Sequence, residues 1–305
     1  MEKRIIKTNK NYTSSILKND ISFLKYEYPE LIVGSIGKSL LGEDIPFFKL
    51  GKGPYKVMIN ASHHANEWIT SLVLMMFVEK YLYLYKNEKK YKTYDIVDIW
   101  KKTSLYIVPM VNPDGVNLVL KENKVLNEIE YCKLWENKEE EFFKRWKANI
   151  RGVDLNLNYP EGWDIAKKNK EKKGIIKPSP RDYVGPNPLS EKETIAMYEF
   201  TKMHSFDLTI SLHSQGKEIY GNAKENAKAK KLAHLFELVS GYKYTQPEYL
   251  SSFAGYKDWY VKNYKKPGFT IELGKGEEGK TLPIEQIEEI YNDVEEIFFI
   301  AIDEI

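Results

Sequence analysis

YKVMINASHHANEWITSLVLMMFVEKYLYLY, residues 55–85, reads as a strand that runs into a turn and then into a helix. Residues 55–60 are a short apolar run carrying Val57 and Ile59 and ending at polar Asn60, while apolar residues at helical spacing continue from 67 to 85. The same alternation recurs along the chain. SLYIVP (104–109), LTISLH (208–213) and GFTIEL (268–273) read as buried strands. Residues 190–203, 227–240 and 284–302 carry helical patterns, the first opening on Ser190 and Glu193 at the spacing of a capping box. Apolar strands alternating with amphipathic helices predict an α/β fold whose largely parallel or mixed sheet is covered on both faces. Residues 31–36 and 46–50 read as an antiparallel pair at one edge. No internal repeat and no Pro/Gly/Ser-rich linker divides the chain. The expectation is a single domain over 1–305, with residues 1–30 a helical lead-in and no wall-binding repeats.

Composition removes several function classes. The 46 basic and 44 acidic residues nearly cancel, and the lysines are scattered, so no nucleic-acid partner is expected. Cys132 stands alone and excludes an internal disulfide framework. The charged start MEKRIIKTNK is not followed by the apolar run of a secretory signal, and the longest apolar stretches, such as 71–78, are far short of a membrane span. A cytoplasmic protein without a membrane partner is the resulting expectation. Residues 121–141 are strongly hydrophilic, with a helix predicted near 136–147, and KKNKEKK (167–173) reads as a solvated lysine-rich loop.

With only five histidines, position is informative. In NASHHANEW (60–68), His64 and Glu67 stand three apart, which puts both side chains on one face of a helical turn. Such a pair is equally a local ion pair. His213 ends the strand LTISLH, at the carboxyl edge where open α/β sheets bind ligands. Two His and one Glu converging from two strand ends make a three-ligand zinc site with a fourth position open. Glu272 lies in GFTIELG, where alternation puts it on the face opposite Phe269 and Ile271. A carboxylate inside a strand built for burial requires compensation, either as a general base in a cleft or in a salt bridge at the strand end. His63 reads as a neighbour of the metal site or a surface residue.

The segments HHANEW (63–68), VPMVNPDGV (108–116), RGVDLNLNYP (151–160), ISLHSQG (210–216), GYKDW (255–259) and GFTIELG (268–274) together resemble the zinc carboxypeptidase family, in the family's order. The resemblance implies a mixed, mostly parallel eight-stranded sheet flanked by helices, and one zinc per chain held by His64, Glu67 and His213. It further implies Glu272 as catalytic base, Asn156 as the asparagine that binds the substrate carboxylate, and Tyr249 as the mobile tyrosine that covers the substrate.

Two positions depart from the family pattern. Leu157 stands where the exopeptidases carry a carboxylate-gripping arginine, and leucine has no donor to offer. Lys147 stands where an arginine polarises the scissile carbonyl, and a lysine still stabilises an oxyanion as a point charge. With these departures the chain resembles the bacterial γ-D-glutamyl-L-diamino acid endopeptidase I branch. The similarity implies hydrolysis between γ-D-glutamate and a diamino acid, often meso-diaminopimelate, in peptidoglycan stem peptides, with soluble muropeptides as substrates. Arg181 and the lysine-rich loop are candidates for contacts to substrate carboxylates. An ordinary metallocarboxypeptidase would need another basic residue in the pocket, such as Arg181 or Lys217. An inactive relative that binds peptides or wall fragments would keep the ligands without turnover.

Overall fold

The computed structural model describes residues 4–120, 140–247, 253–277 and 279–305. Its centre is an eight-stranded mixed sheet in the order β1-β2-β6-β3-β7-β10-β8-β9. The strands are β1 (Ile32–Lys38), β2 (Asp44–Leu50), β3 (Tyr55–Ala61), β6 (Thr103–Val108), β7 (Leu208–Ser214), β8 (Glu218–Gly221), β9 (Lys243–Thr245) and β10 (Gly268–Leu273). β4 (Lys90–Tyr91) and β5 (Tyr94–Asp95) pair separately as a small hairpin. The expected edge pair is present: β1 and β2 run antiparallel, with a register irregularity between Ser35 and Gly37.

β6, β3, β7 and β10 are mutually parallel, so their carboxyl ends meet at one edge of the sheet. Every residue of β6 and of β7 is buried, as strands covered on both faces must be. One covering layer is formed by the helices Ile69–Tyr83, Ala227–Ser240 and Ile287–Asp303. The first of these is buried on nearly every side, with thirteen of its fifteen residues buried. The other layer holds Met197 and Phe200 of the helix Lys192–His204, with Tyr256, Trp259 and Tyr260 of the helix Tyr256–Tyr264. The helix Ser14–Glu27, opened by Thr13 accepting from the Ile16 amide, lies ahead of the sheet as the predicted lead-in.

Three local expectations are corrected. The helix at Lys192–His204 has no capping box: Glu191 is its N-cap, Ser190 Oγ donates to the Glu191 carboxylate, and Glu193 accepts the Leu40 amide at 3.1 Å. A tertiary partner has taken the carboxylate that local spacing assigned to the helix end. Residues 167–173 are no loop, since most of them continue the helix Trp163–Lys172, which buries Trp163 and Ala166, exposes Lys168 and Lys172 and turns Lys170 onto Asp182. Of the helix predicted near 136–147, Glu140–Phe143 is helical. Residues 136–139 and Cys132 lie outside the described residues. No helix among the described residues is long and apolar enough to cross a membrane.

Candidate active site

The carboxyl edge of the parallel strands places the chemistry. After β3 the chain turns at Ser62, whose φ of 50° is left-handed. That turn is held by the Ser62 amide donating to Thr70 Oγ1 at 3.0 Å and by Ser62 Oγ at 2.7 Å from Ser71 Oγ. The next residues deliver His64, which caps a short 3-10 turn over Ala65–Glu67. His213 is the last residue but one of β7, and Glu272 sits directly beside it on β10.

His64, Glu67 and His213 converge with one ligand atom each within 4.8 Å of the others, and all three are buried. His64 Nδ1 lies 2.9 Å from Glu67 Oε1, His213 Nδ1 lies 3.0 Å from Glu67 Oε2, and the two Nδ1 atoms are 3.2 Å apart. Two ring nitrogens facing one carboxylate form the donor set of a catalytic zinc site. The electrostatics ask for a cation at the same point. Burial disfavours the His64 imidazolium, yet Glu67 and Asp154 outweigh it and hold that group up to about 9. A proton there supplies the positive charge that a metal would supply instead, and metal binding would release it. Zinc therefore fits these residues.

Asp154 is the support that sequence reasoning missed. Its Oδ1 lies 3.2 Å from His64 Nε2, so the Nε2–H donates to it and the Nδ1 lone pair is left for metal. Asp154 also accepts the amides of Asn156 and Asp182, at 3.2 Å each, and its carboxyl is held well below the usual range because His64 and Lys147 outweigh the cost of burial. The only sequence signal was its place two residues before Asn156. Exchanging Asp154 for Asn is expected to weaken zinc binding about 10–100-fold, measured by competition with a chromogenic chelator. An unchanged affinity would remove Asp154 from the metal support.

Lys147 Nζ sits 3.0 Å from Glu67 Oε1. Its backbone is pinned by the Lys147 amide donating to Pro180 O at 2.8 Å and by Lys147 O accepting the Ala65 amide at 3.0 Å. Burial would raise the carboxyl of Glu67, but His64 and Lys147 keep it well below its ordinary value. For Glu272 the balance reverses: burial, with Glu67 adding its negative charge, pushes the carboxyl up to about 8. Part of the Glu272 side chain nevertheless meets solvent, because it faces a cavity of about 420 Å³. Lys147, Asn156 and Arg181 line the same cavity. The Asn156 side chain accepts the Tyr256 amide at 3.0 Å, and its Nδ2 lies 3.5 Å from His213 Nε2.

Other predicted residues fall elsewhere. Leu157 is not among the cavity-lining residues; it packs against the apolar cluster of Trp163, Ala166, Val184 and Ala254. Lys217 also points away, held by Glu289 and Asp293 at 2.9 Å each. His63 is fully buried, with Nε2 3.0 Å from Tyr159 Oη and its ring 6.0 Å from that of His213. It is therefore no surface residue. The lysine-rich segment turns Lys170 onto Asp182, and Tyr249 lies outside the described residues.

Two buried asparagines are joints of this frame. Asn112 donates to His63 O and Ala148 O at 3.1 Å each and accepts the Gly115 amide at 3.0 Å. Asn158 ties the segment to Val184 O at 2.8 Å and receives Thr194 Oγ1 at 2.8 Å.

The sequence profile of the family described as zinc carboxypeptidase matches residues 17–297. Gamma-D-glutamyl-L-diamino acid endopeptidase 1 of Lysinibacillus sphaericus is 38% identical over 299 residues, covering 97% of this chain and 73% of that protein. Carboxypeptidase B of Bos taurus is 28% identical over 285 residues, covering 86% of this chain and 63% of that protein. Among solved structures, bovine thrombin-activatable fibrinolysis inhibitor in complex with tick carboxypeptidase inhibitor matches with a TM-score of 0.72 at 21% identity, over 97% of each chain. That last likeness shows the fold.

Proposed function

We propose that this chain, which belongs to the zinc carboxypeptidase family and is a zinc-dependent hydrolase of peptide bonds, cuts the γ-D-glutamyl–diamino acid bond of peptidoglycan stem peptides. The observation that carries the substrate is the 38% identity to the Lysinibacillus endopeptidase across 97% of this chain. The leucine at 157 supports it, since its side chain packs in an apolar cluster and leaves the cavity without a guanidinium from that position. The proposal takes 1–305 as one catalytic domain acting on soluble muropeptides in the cytoplasm.

His64, Glu67 and His213 would hold the zinc, and the chemistry it would supply there is Lewis acidity toward a water and the scissile carbonyl. The chain's own groups do the rest. Glu272 takes the proton of the attacking water and hands it to the leaving nitrogen, a double role suited to a carboxyl whose affinity for protons is raised. The Lys147 ammonium faces the oxygen on which negative charge develops. Asn156 orients the substrate from the Tyr256 side of the cavity. Tyr249 is proposed as the group that closes over bound substrate.

Arg181 lines the cavity and is placed to receive a substrate carboxylate, the free α-carboxylate of a γ-linked glutamate. Exchanging Arg181 for Ala is expected to raise KM about tenfold with kcat little changed, since a charge-assisted hydrogen bond contributes roughly that much. The linkage itself is tested by comparing γ-linked and α-linked glutamyl-diaminopimelate: only the γ isomer should be cut, and equal rates would remove the proposal. The same arginine favours one other reading, an ordinary metallocarboxypeptidase whose C-terminal carboxylate is gripped by Arg181 instead of position 157. An inactive binder is separated from both by any zinc-dependent hydrolysis.

A further inference from the structure

Residues 163–177, WDIAKKNKEKKGIIK, carry six lysines against two acids, Asp164 and Glu171, in a chain whose formal net charge is only +2. This one segment therefore holds a larger positive excess than the whole molecule. It is tied to the body at three places. Trp163 Nε1 donates to Val184 O at 3.1 Å, Lys170 pairs with Asp182, and just beyond the segment the Ser179 amide donates to Gly152 O at 3.0 Å. The helix Trp163–Lys172 is closed by the Gly174 amide on Glu171 O at 2.9 Å and the Ile175 amide on Lys170 O at 3.0 Å, with Gly174 left-handed at a φ of 80°. A Cβ on Gly174 would meet nothing within 4 Å, so this turn stands clear of the body.

Two of the lysines are engaged by the protein itself, Lys170 by Asp182 and Lys167 by the Trp163 ring, whose centroid is 5.1 Å away. Lys168, Lys172, Lys173 and Lys177 are exposed, and among the described residues none of them is in an ion pair. None lines the catalytic cavity. Two large apolar side chains stand among them, Ile165 at 43% exposure and Ile176 at 69%. At about 100° per residue, Ile165, Lys168 and Lys172 fall within about 60° of one another on the helix, with Asp164 and Glu171 on one flank. Lys173, Ile176 and Lys177 carry the same mixture through the turn.

Four unpaired ammonium groups side by side complement a surface dense in negative charge. Exposed isoleucines gain nothing from a soluble polyanion, but they gain from leaving water for hydrocarbon. An anionic bilayer offers both at once, phosphates to the lysines and the acyl boundary to the branched side chains. We infer that residues 165–177 form a peripheral docking surface for membranes of anionic lipid. The contact requires no spanning helix. Asp182, the partner of Lys170, also has its Oδ2 3.5 Å from Nε of Arg181, so the docking surface lies beside the wall of the catalytic cavity that Arg181 provides. The inference goes beyond the γ-D-glutamyl reading and does not depend on it.

The test sediments the zinc-loaded full chain with vesicles of phosphatidylcholine and phosphatidylglycerol, and with vesicles of phosphatidylcholine alone, at low ionic strength. Binding is expected only where phosphatidylglycerol is present, and added salt should release the protein. Replacing Lys168, Lys172, Lys173 and Lys177 together by Gln should weaken that binding about a hundredfold or more, since each lysine near an anionic surface contributes about fivefold. The double variant Ile165→Ser with Ile176→Ser should bind the vesicles about tenfold more weakly and bind inorganic polyphosphate no differently from wild type. Tm and zinc content are measured for each variant, so that a change in binding is read only on folded, metal-loaded protein. No binding to the phosphatidylglycerol vesicles, equal binding to phosphatidylcholine alone, or an unweakened lysine variant overturns the inference. Wild-type vesicle binding by the isoleucine variant overturns it too, in favour of a soluble polyanion held by the lysines alone.

Discussion

Glu272→Gln is expected to lower kcat/KM on the order of 10³–10⁴-fold, the upper part of the range for a positioned proton-transfer group, while zinc stays bound at the wild-type level. The geometry requires this pairing of outcomes. Glu272 is on β10, one strand over from His213, and it is not among the three converging ligand residues. Glutamine keeps the shape and loses the ability to accept the water's proton. A variant that keeps more than about a tenth of the activity would remove Glu272 as the base, and one that loses its zinc would make Glu272 a support of the metal instead. The metal-free protein offers a second readout. Its Glu272 carboxyl is pushed up to about 8 from an ordinary 4.5, mainly by burial. Folded protein thus binds this proton more tightly than unfolded protein. Metal-free wild type should therefore lose stability relative to Glu272→Gln as the pH rises from 4.5 toward about 8, and the two should converge below 4.5.

The second large effect comes from the ligands. His213→Ala and Glu67→Ala should each abolish zinc retention through dialysis and abolish hydrolysis with it, since two remaining ligands do not hold a catalytic zinc. The two variants should differ in stability. Glu67 is the buried counter-charge of Lys147, at 3.0 Å, and of His64, at 2.9 Å. Removing it takes away the close carboxylate of Lys147 and leaves His64 with Asp154 alone, and should destabilise the metal-free fold by about 3 kcal/mol, whereas removing the imidazole of His213 leaves the charges matched. Chemical denaturation of the metal-free proteins measures the difference. Equal stabilities would mean that Lys147 finds solvent or another partner when Glu67 is gone.

Much of this was legible in the chain because burial leaves a local signature. The segments of β3, β6, β7 and β10 are apolar runs bounded by turn residues, and the structure extends each by no more than a residue or shifts it by one. His64, Glu67 and His213 were legible because a strand end and a three-residue spacing are properties of the backbone. What was not legible depends on partners far along the sequence. Glu193 looked like half of a capping box until Leu40, 153 residues away, supplied the amide that it accepts. The role of Asp154 exists only because residues 154 and 64 meet across the sheet edge. His63 gave no sign that it would be walled in by Tyr159, Tyr256 and His213. The lysines of 167–173 suggested a loop by charge, although lysine is a good helix former and Trp163 with Ala166 gives that helix its inner face.

The most direct measurement is the identity of the bond that is cut. Zinc-loaded enzyme is mixed with L-Ala-γ-D-Glu-meso-diaminopimelate and with a blocked dipeptide bearing a free C-terminal aromatic or basic residue, and the products are read by mass spectrometry. Release of L-Ala-D-Glu from the first substrate, with the dipeptide untouched, is the expected result. Release of the C-terminal amino acid from the dipeptide alone would contradict it and make this zinc peptidase a carboxypeptidase in activity as well as in fold.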